Sequence, residues 1–202
     1  MSSRPDGPEQ ADLARYEVLV GVCGGIAAYK VCEVVSSLVQ RGAGVTVAMT
    51  RSARKFVGRT TFQALAGRRV LTSLWHADDV ADVQHITLMG AVDLVLIAPA
   101  TANFIGKIAS GIADELVSTL VMSSASPVVL APTMNDRMWK NPIVQRNVAT
   151  LTEHGYKFIG PGEGWLACRS VGPGRMAEAG EILELLISML KAKPPRTMAK
   201  EE

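Results

Sequence analysis

The stretch Asp93–Leu116, DLVLIAPATANFIGKIASGIADEL, constrains the fold more than any other part of the chain. Asp93 leads into Leu94-Val95-Leu96-Ile97-Ala98, an unbroken apolar run of the kind found in a parallel sheet covered on both faces; a half-solvated antiparallel strand would alternate. Pro99 has no N–H to give to a ladder, so the strand is expected to end there. Ala100, Thr101, Ala102 and Asn103 then form a turn of small side chains that leaves backbone N–H groups open. Ile105, Ile108, Ile112 and Leu116 follow at three- or four-residue spacing, the signature of one helix face. α/β proteins bind ligands where a strand passes through a small polar turn into a helix, because the first N–H groups and the helix dipole attract anions. An ordinary strand-to-helix junction would look the same, and the rest of the chain has to decide.

The pattern recurs on both sides. Tyr16–Val22 predicts a first strand, Cys23-Gly24-Gly25 a turn, and Ile26–Gln40 a helix closing at Gly42. Glycines in such a turn let backbone approach a ligand closely. Gly21, Gly24 and Gly25 do not have G-x-G-x-x-G spacing, so the dinucleotide fingerprint is absent. Gly44–Met49 predicts a second strand that runs into Thr50-Arg51-Ser52-Ala53-Arg54-Lys55-Phe56. Its hydroxyls and cations suit a phosphate, or equally a helix cap with solvated arginines. Thr60–Ala66 predicts a short helix and Val70–Leu74 a short strand. His85 stands just ahead of the central strand; a lone histidine is usually structural, as His76 and His154 are expected to be.

Asp114–Ser123 predicts a helix, and Pro127–Pro132 another buried strand ending in Thr133-Met134-Asn135-Asp136-Arg137-Met138-Trp139. Asn135 suits an amide or a carboxylate, while the methionines and Trp139 could equally pack the loop onto the body. Asn141 and Pro142 open a helix to Glu153, and Tyr156–Ile159 predicts the last strand. Between Gly160 and Met176 glycines are too dense for regular structure, which predicts a mobile flap carrying an accessible Cys168. Glu178–Lys191 predicts a final amphipathic helix. Strands alternating with helices in this way give a doubly wound parallel α/β sheet in a single domain, residues 16–191, between a polar lead-in (1–15) and a polar tail (192–202).

Several function classes drop out. Net charge is +2 and there is no Lys/Arg cluster to track a phosphate backbone, so nucleic acid is not expected as a partner. Neither a membrane-length apolar run nor a signal-peptide layout is present, which places the chain in the cytoplasm. Cys23, Cys32 and Cys168 are odd in number and lack C-x-x-C spacing, so neither disulfides nor a metal site is expected.

Five stretches, in this order, resemble the signatures of the phosphopantothenoylcysteine decarboxylases, members of the flavin-containing cysteine decarboxylases. They are Gly21–Lys30 (GVCGGIAAYK), Gln84-His85-Ile86, Pro99–Asn103 (PATAN), Pro132–Trp139 (PTMNDRMW), and Leu166-Ala167-Cys168 through Gly172–Met176 (GPGRM). The resemblance covers Tyr16 to Leu190 and implies a flavodoxin-like fold, assembled as trimers or multiples of trimers up to a dodecamer, with FMN near the subunit interface. It implies that Gly21, Cys23, Gly24, Gly25, Thr50 and Ser52 surround the FMN phosphate and that Ala100, Thr101, Ala102 and Asn103 border the flavin. His85 would be the catalytic histidine of an oxidative half-reaction. Asn135 and Met138 would clamp the substrate's carboxylate and amide, with Ala167 and Arg175 beside it. Cys168 would be the flap acid of a reductive half-reaction.

The implied reaction turns 4′-phosphopantothenoylcysteine into 4′-phosphopantetheine in coenzyme A biosynthesis. FMN oxidises the substrate thiol to a thioaldehyde that accepts the electrons left by departing carbon dioxide, and the resulting enethiol is then reduced. Many bacterial relatives carry a second, synthetase domain that makes the substrate; here either a separate synthetase supplies it or that domain lies outside this sequence. A decarboxylase of peptidyl C-terminal cysteine and a non-catalytic flavoprotein regulatory subunit are the rival readings. The chain departs from the family pattern at Cys23, where Ser or Thr is usual, at Thr101 and Phe104, where Ser and Thr are usual, and at Arg169, where Gly is usual. Arg169 could restrict the flap by its bulk or help to hold the substrate phosphate by its charge.

Overall fold

The computed structural model describes residues 11–74 and 84–195, with backbone alone for 84–87. Elements follow in the order β1 (Glu17–Val22), α1 (Ala28–Gln40), β2 (Gly44–Met49), a 3₁₀ turn (Ala53–Lys55), α2 (Arg59–Ala66), α3 (Gln84–Ala91), β3 (Leu94–Ala100) and α4 (Ala102–Ala109). The second half comprises α5 (Leu116–Met122), β4 (Val128–Pro132), α6 (Asp136–Trp139), α7 (Pro142–Glu153), β5 (Lys157–Phe158), β6 (Gly162–Trp165), β7 (Val171–Arg175) and α8 (Ala179–Lys191).

β1 to β5 form one parallel sheet in the order β2-β1-β3-β4-β5. This is the flavodoxin-like order, in which strand succession reverses between β1 and β3 and opens a crevice at their C-terminal ends. Successive residues of a strand face opposite ways, so the unbroken apolar runs feed two cores at once. Val18, Val20, Leu96 and Val129 meet Val31, Val35 and Leu38 of α1 and Ile182 and Leu186 of α8 on one face. Leu19, Val95, Ile97 and Leu130 meet Phe104, Ile105 and Ile108 of α4 and Val117 and Leu120 of α5 on the other. Each such fully buried aliphatic contributes about 1.5–3 kcal/mol over an exposed one.

Several expectations change. β3 runs through Pro99 to Ala100, because its register with β4 shifts between Ile97 and Ala100 and the missing N–H falls at that irregularity. The apolar series Ile105, Ile108, Ile112, Leu116 is not one helix face. α4 stops at Ala109; Gly111 adopts φ +70° and Ile112 N–H donates back to Lys107 O, a Schellman ending that leaves Ile112 exposed and gives Leu116 to α5. Val70–Leu74 is no strand: Leu71 makes a single parallel bridge to Ala48. The glycine-rich segment after β5 is regular after all, since β6 and β7 pair as an antiparallel ribbon.

The folded unit also starts before Tyr16. Leu13 is fully buried and its N–H donates to Arg41 O at 3.0 Å, while Asp12 bridges Arg41 and Lys191 at 2.9 and 2.6 Å. Residues 1–10 and 196–202 lie outside the described residues, as do His76 and the side chain of His85. Hydrogen bonds from Arg41, then Lys191, hold the Asp12 carboxyl well below the usual carboxylate range. A depressed folded-state pKa gives stability that is present above the unfolded value of about 4 and lost as pH falls below it. Asp12→Asn is therefore expected to lower stability by roughly 1 kcal/mol at neutral pH, discounted for exposure. In thermal melts the gap from wild type should narrow steadily below about pH 4; a gap independent of pH would refute the assignment.

Among the described residues no helix is long and apolar enough to cross a membrane, and no group of His, Cys, Asp and Glu could hold a metal ion.

Candidate functional site

Two adjoining cavities open at the C-terminal ends of the strands. The first, of about 440 Å³, lies at the β1/β3 crevice between the turns that follow β1, β2 and β3; its lining includes Cys23, Gly24, Thr50, Ser52, Thr101 and Asn103. α4 begins beside it, and α1 begins beside the second cavity, whose lining includes Ile26 and Ala27. α4 is capped by Thr101, whose hydroxyl accepts from Phe104 N–H at 3.2 Å. α1 has Ala27 at its N-cap, with no side chain to accept from its first N–H groups and no acidic residue in its first turn. Such an end suits an anion. Thr50 Oγ1 accepts from Ala53 N–H, so it caps the 3₁₀ turn, while Ser52 makes no capping hydrogen bond.

Gly24 is where the turns after β1 and β2 touch. A Cβ there would collide with Ser52, whose carbonyl carbon would lie at 3.0 Å. Cys23 lies on the cavity floor, 2% exposed, and burial pushes its thiol pKa up, so it remains a neutral, weak donor where a hydroxyl is usual in the resembled family.

The second cavity, of about 560 Å³, lies between α1, the loop after β4 and the β6–β7 ribbon; Tyr29, Lys30, Asn135, Trp165, Cys168 and Arg175 are among its lining. Asn135 is the N-cap of α6: its Oδ1 accepts from Met138 N–H at 2.8 Å, which leaves the side-chain NH₂ to donate to a carboxylate or carbonyl. Glu178 receives Lys30 Nζ at 2.9 Å and Arg175 Nη2 at 2.7 Å, and the ammonium of Lys30 leads in holding that carboxyl below its ordinary range. Cys168 is exposed at the ribbon tip. Arg169 beside it has φ +65°, a left-handed conformation that costs a non-glycine residue about 1–2 kcal/mol, and its N–H donates to Leu166 O.

Thr133 and Met134 line both cavities, and Thr133 Oγ1 is buried without a hydrogen-bond partner. A buried hydroxyl left unpaired costs about 1–3 kcal/mol, so it marks a place where a bound group supplies the missing partner.

Of the residues expected at the site, Cys23, Gly24, Thr50, Ser52, Thr101, Ala102, Asn103 and Met138 line the first cavity. Gly25, Asn135, Ala167, Cys168 and Arg175 line the second. Gly21 and Ala100 line neither. Gly21 is buried within β1, where a side chain would meet Ile97 and Val117, so its smallness serves packing; Ala100 is buried at the end of β3. His85 occupies the first turn of α3. His154 is exposed at the end of α7 with Nδ1 2.8 Å from Thr150 O, a structural role. Thr133, Tyr29 and Lys30 were not singled out from sequence. Thr133 carried a signal all the same, since it follows a buried strand at the sheet edge where ligands bind.

Fold and site together define an α/β protein of flavodoxin-like topology with a cofactor-sized polar cavity at its switch point. Residues 6–191 match the Flavoprotein family, and the chain belongs to it. It is 47% identical over 173 residues to the coenzyme A biosynthesis bifunctional protein CoaBC of Bacillus subtilis (strain 168), a match covering 86% of this chain and 43% of that protein. The chain thus spans less than half the length of the curated relatives it matches. Among solved structures it resembles a cysteine-to-serine mutant of PPC decarboxylase complexed with pantothenoylaminoethenethiol, with a TM-score of 0.77, 29% identity, and 88% of this chain and 99% of that chain covered. It also resembles the FMN-dependent cysteine decarboxylase SpaF, with a TM-score of 0.73, 34% identity, and 87% and 99% covered.

Proposed function

We propose that this chain binds FMN and decarboxylates 4′-phosphopantothenoylcysteine to 4′-phosphopantetheine. The observation that carries the proposal is the shared wall: a polar cavity suited to a phosphorylated cofactor meets a cavity bearing a carboxylate-binding amide and a thiol, across the unpartnered Thr133 Oγ1. The cofactor fits this chain's residues on two counts. The close approach at Gly24 and the Ser52 hydroxyl, which makes no capping hydrogen bond, suit a phosphate, and the orphan hydroxyl of Thr133 awaits a polar group. Ser52, Thr101 and Asn103 would hold FMN together with the Cys23–Gly25 turn.

When bound, FMN supplies the reversible two-electron oxidation that lets the substrate's thiol-bearing carbon accept electrons as carbon dioxide leaves. The chain's own groups bind and move protons around that chemistry. Asn135 NH₂ would donate to the substrate carboxylate, with its orientation fixed by Met138 N–H, and Met138, which lines the adjoining first cavity, would close the clamp from the cofactor side. Ala167 and Arg175 would border the substrate from the ribbon. His85 is the base of the oxidative half in this reading, and Cys168 Sγ gives its proton to the unsaturated product in the reductive half. Similarity to CoaBC and to PPC decarboxylase supports this substrate over others. The bifunctional relatives favour a phosphopantothenoylcysteine synthetase as the neighbouring activity. Assembly as trimers or multiples of trimers belongs to the same reading; exposed Phe56 and Ile143 supply apolar surface for it.

The test is anaerobic incubation of FMN-loaded protein with phosphopantothenoylcysteine, followed by mass spectrometry. Loss of carbon dioxide with formation of phosphopantetheine is the expected result. If FMN binds and this substrate is untouched, the proposed substrate is wrong, and turnover of peptides ending in cysteine would establish the rival reading of a peptidyl-cysteine decarboxylase.

A further inference from the structure

The ribbon is seated on the loop that bears Asn135 through alternate residues of one edge. Ser170, Gly172 and Gly174 fall on the same side of the chain by the two-residue period of an extended backbone. Each meets the loop after β4. Met134 N–H donates to Gly174 O at 3.0 Å, and a Cβ on Gly174, which has φ +143°, would collide with Met134 O. A Cβ on Gly172 would lie 3.2 Å from Asp136 Cβ. One step further along, the edge carries a side chain instead of a glycine: Ser170 Oγ donates to Asp136 Oδ1 at 3.2 Å, and Cys168 Sγ lies 3.2 Å from Ser170 Oγ.

The polarity of this chain of contacts follows from its end. A carboxylate only accepts, so the Ser170 hydroxyl hydrogen points at Asp136 and its oxygen turns a lone pair toward Cys168. The thiol hydrogen is then the one that completes the chain. We propose, on the reading of Cys168 as proton donor given above, that Ser170 and Asp136 are positioning residues: they keep the Cys168 thiol hydrogen-bonded as a donor and fix the ribbon tip relative to Asn135. Neither residue is among those the family resemblance assigns a role. Asp136 is placed to do this because it follows Asn135 directly and opens α6, whose geometry Asn135 caps.

Two readouts test the idea on FMN-loaded protein. The first needs no turnover: the rate at which iodoacetamide alkylates Cys168 at neutral pH, read by peptide mass mapping apart from Cys32 and the buried Cys23. Ser170→Ala and Asp136→Ala should each raise that rate about three- to tenfold, the worth of one hydrogen bond, and Ser170→Thr should restore the wild-type rate. The second is product partition. The two alanine variants should release about three to ten times more of the species two hydrogens lighter than phosphopantetheine, with KM little changed, because binding is untouched and proton delivery is not. Alkylation rates within twofold of wild type in both alanine variants would overturn the proposal. A wild-type protein that turns over no substrate would refute the proposed function, while the alkylation comparison would still decide on the positioning role.

Discussion

Cys168→Ser is expected to leave carbon dioxide release running while phosphopantetheine formation falls by at least about a hundredfold, the usual worth of a positioned general acid. The variant should accumulate a decarboxylated species two hydrogens lighter. The physical reason lies in the ribbon tip. Cys168 lies at the second cavity, far in sequence from Cys23, Gly24 and the Thr101–Asn103 turn that line the first. A serine there keeps the shape and the contact with Ser170, but an alcohol gives up its proton far less readily than a thiol. On the proposed function, binding and the first half-reaction would depend on Asn135, His85 and the first cavity, which the substitution does not touch. A variant that lost carbon dioxide release and saturated product in equal measure would show that Cys168 serves binding or folding and not the second half-reaction. The check is a time course of both products by mass spectrometry against wild type.

Gly24→Ala is expected to cut bound flavin per chain by at least about fivefold, the lower end of what an overpacked contact costs. Its Cβ would be driven into Ser52 side chain and backbone alike, with the Ser52 carbonyl carbon at 3.0 Å. Relief cannot come from a flexible side-chain tip. The turns after β1 and β2 have to separate, and these are two walls of the polar cavity. Gly180→Ala is the control: it stands in the first turn of α8 with nothing within 4 Å of an added Cβ, and should keep its flavin with stability unchanged or slightly raised. Flavin absorbance per protein after desalting reads both variants. Full flavin retention in Gly24→Ala would mean that the cofactor lies elsewhere.

What could be seen in the sequence was what short-range physics dictates. β1, β2, β3 and β4 were visible because a strand covered on both faces must be apolar at every position, and a run as short and unbroken as Leu94–Ala98 suits a buried strand. α7 was visible from Asn141 and Pro142, since capping chemistry is local. The site loops were visible as small, polar strand ends, and the ordered motifs tied them to one family. The series Ile105 to Leu116 misled because periodicity alone does not register Gly111, whose left-handed turn ends the helix.

The tertiary structure decided matters that depend on partners distant in the chain. The glycines of 160–176 signal irregularity when taken alone; opposite one another they are a ribbon whose Gly172 and Gly174 admit the backbone of the loop after β4. Gly21 and Gly24 are equivalent in sequence, yet one is filled space beside Ile97 and Val117 and the other is a wall of the cavity. Leu13 joins the core where its N–H meets Arg41 O and Asp12 beside it pairs with Arg41 and Lys191. The approach of Ser170 to Asp136 joins residues 34 positions apart. Sequence by itself determined which segments are strands, helices and binding turns, because these depend on neighbours a few bonds away. Which of those turns meet, and which thiol, hydroxyl and carboxylate line up, follows from how two cores close over one sheet, and only the folded chain holds that information.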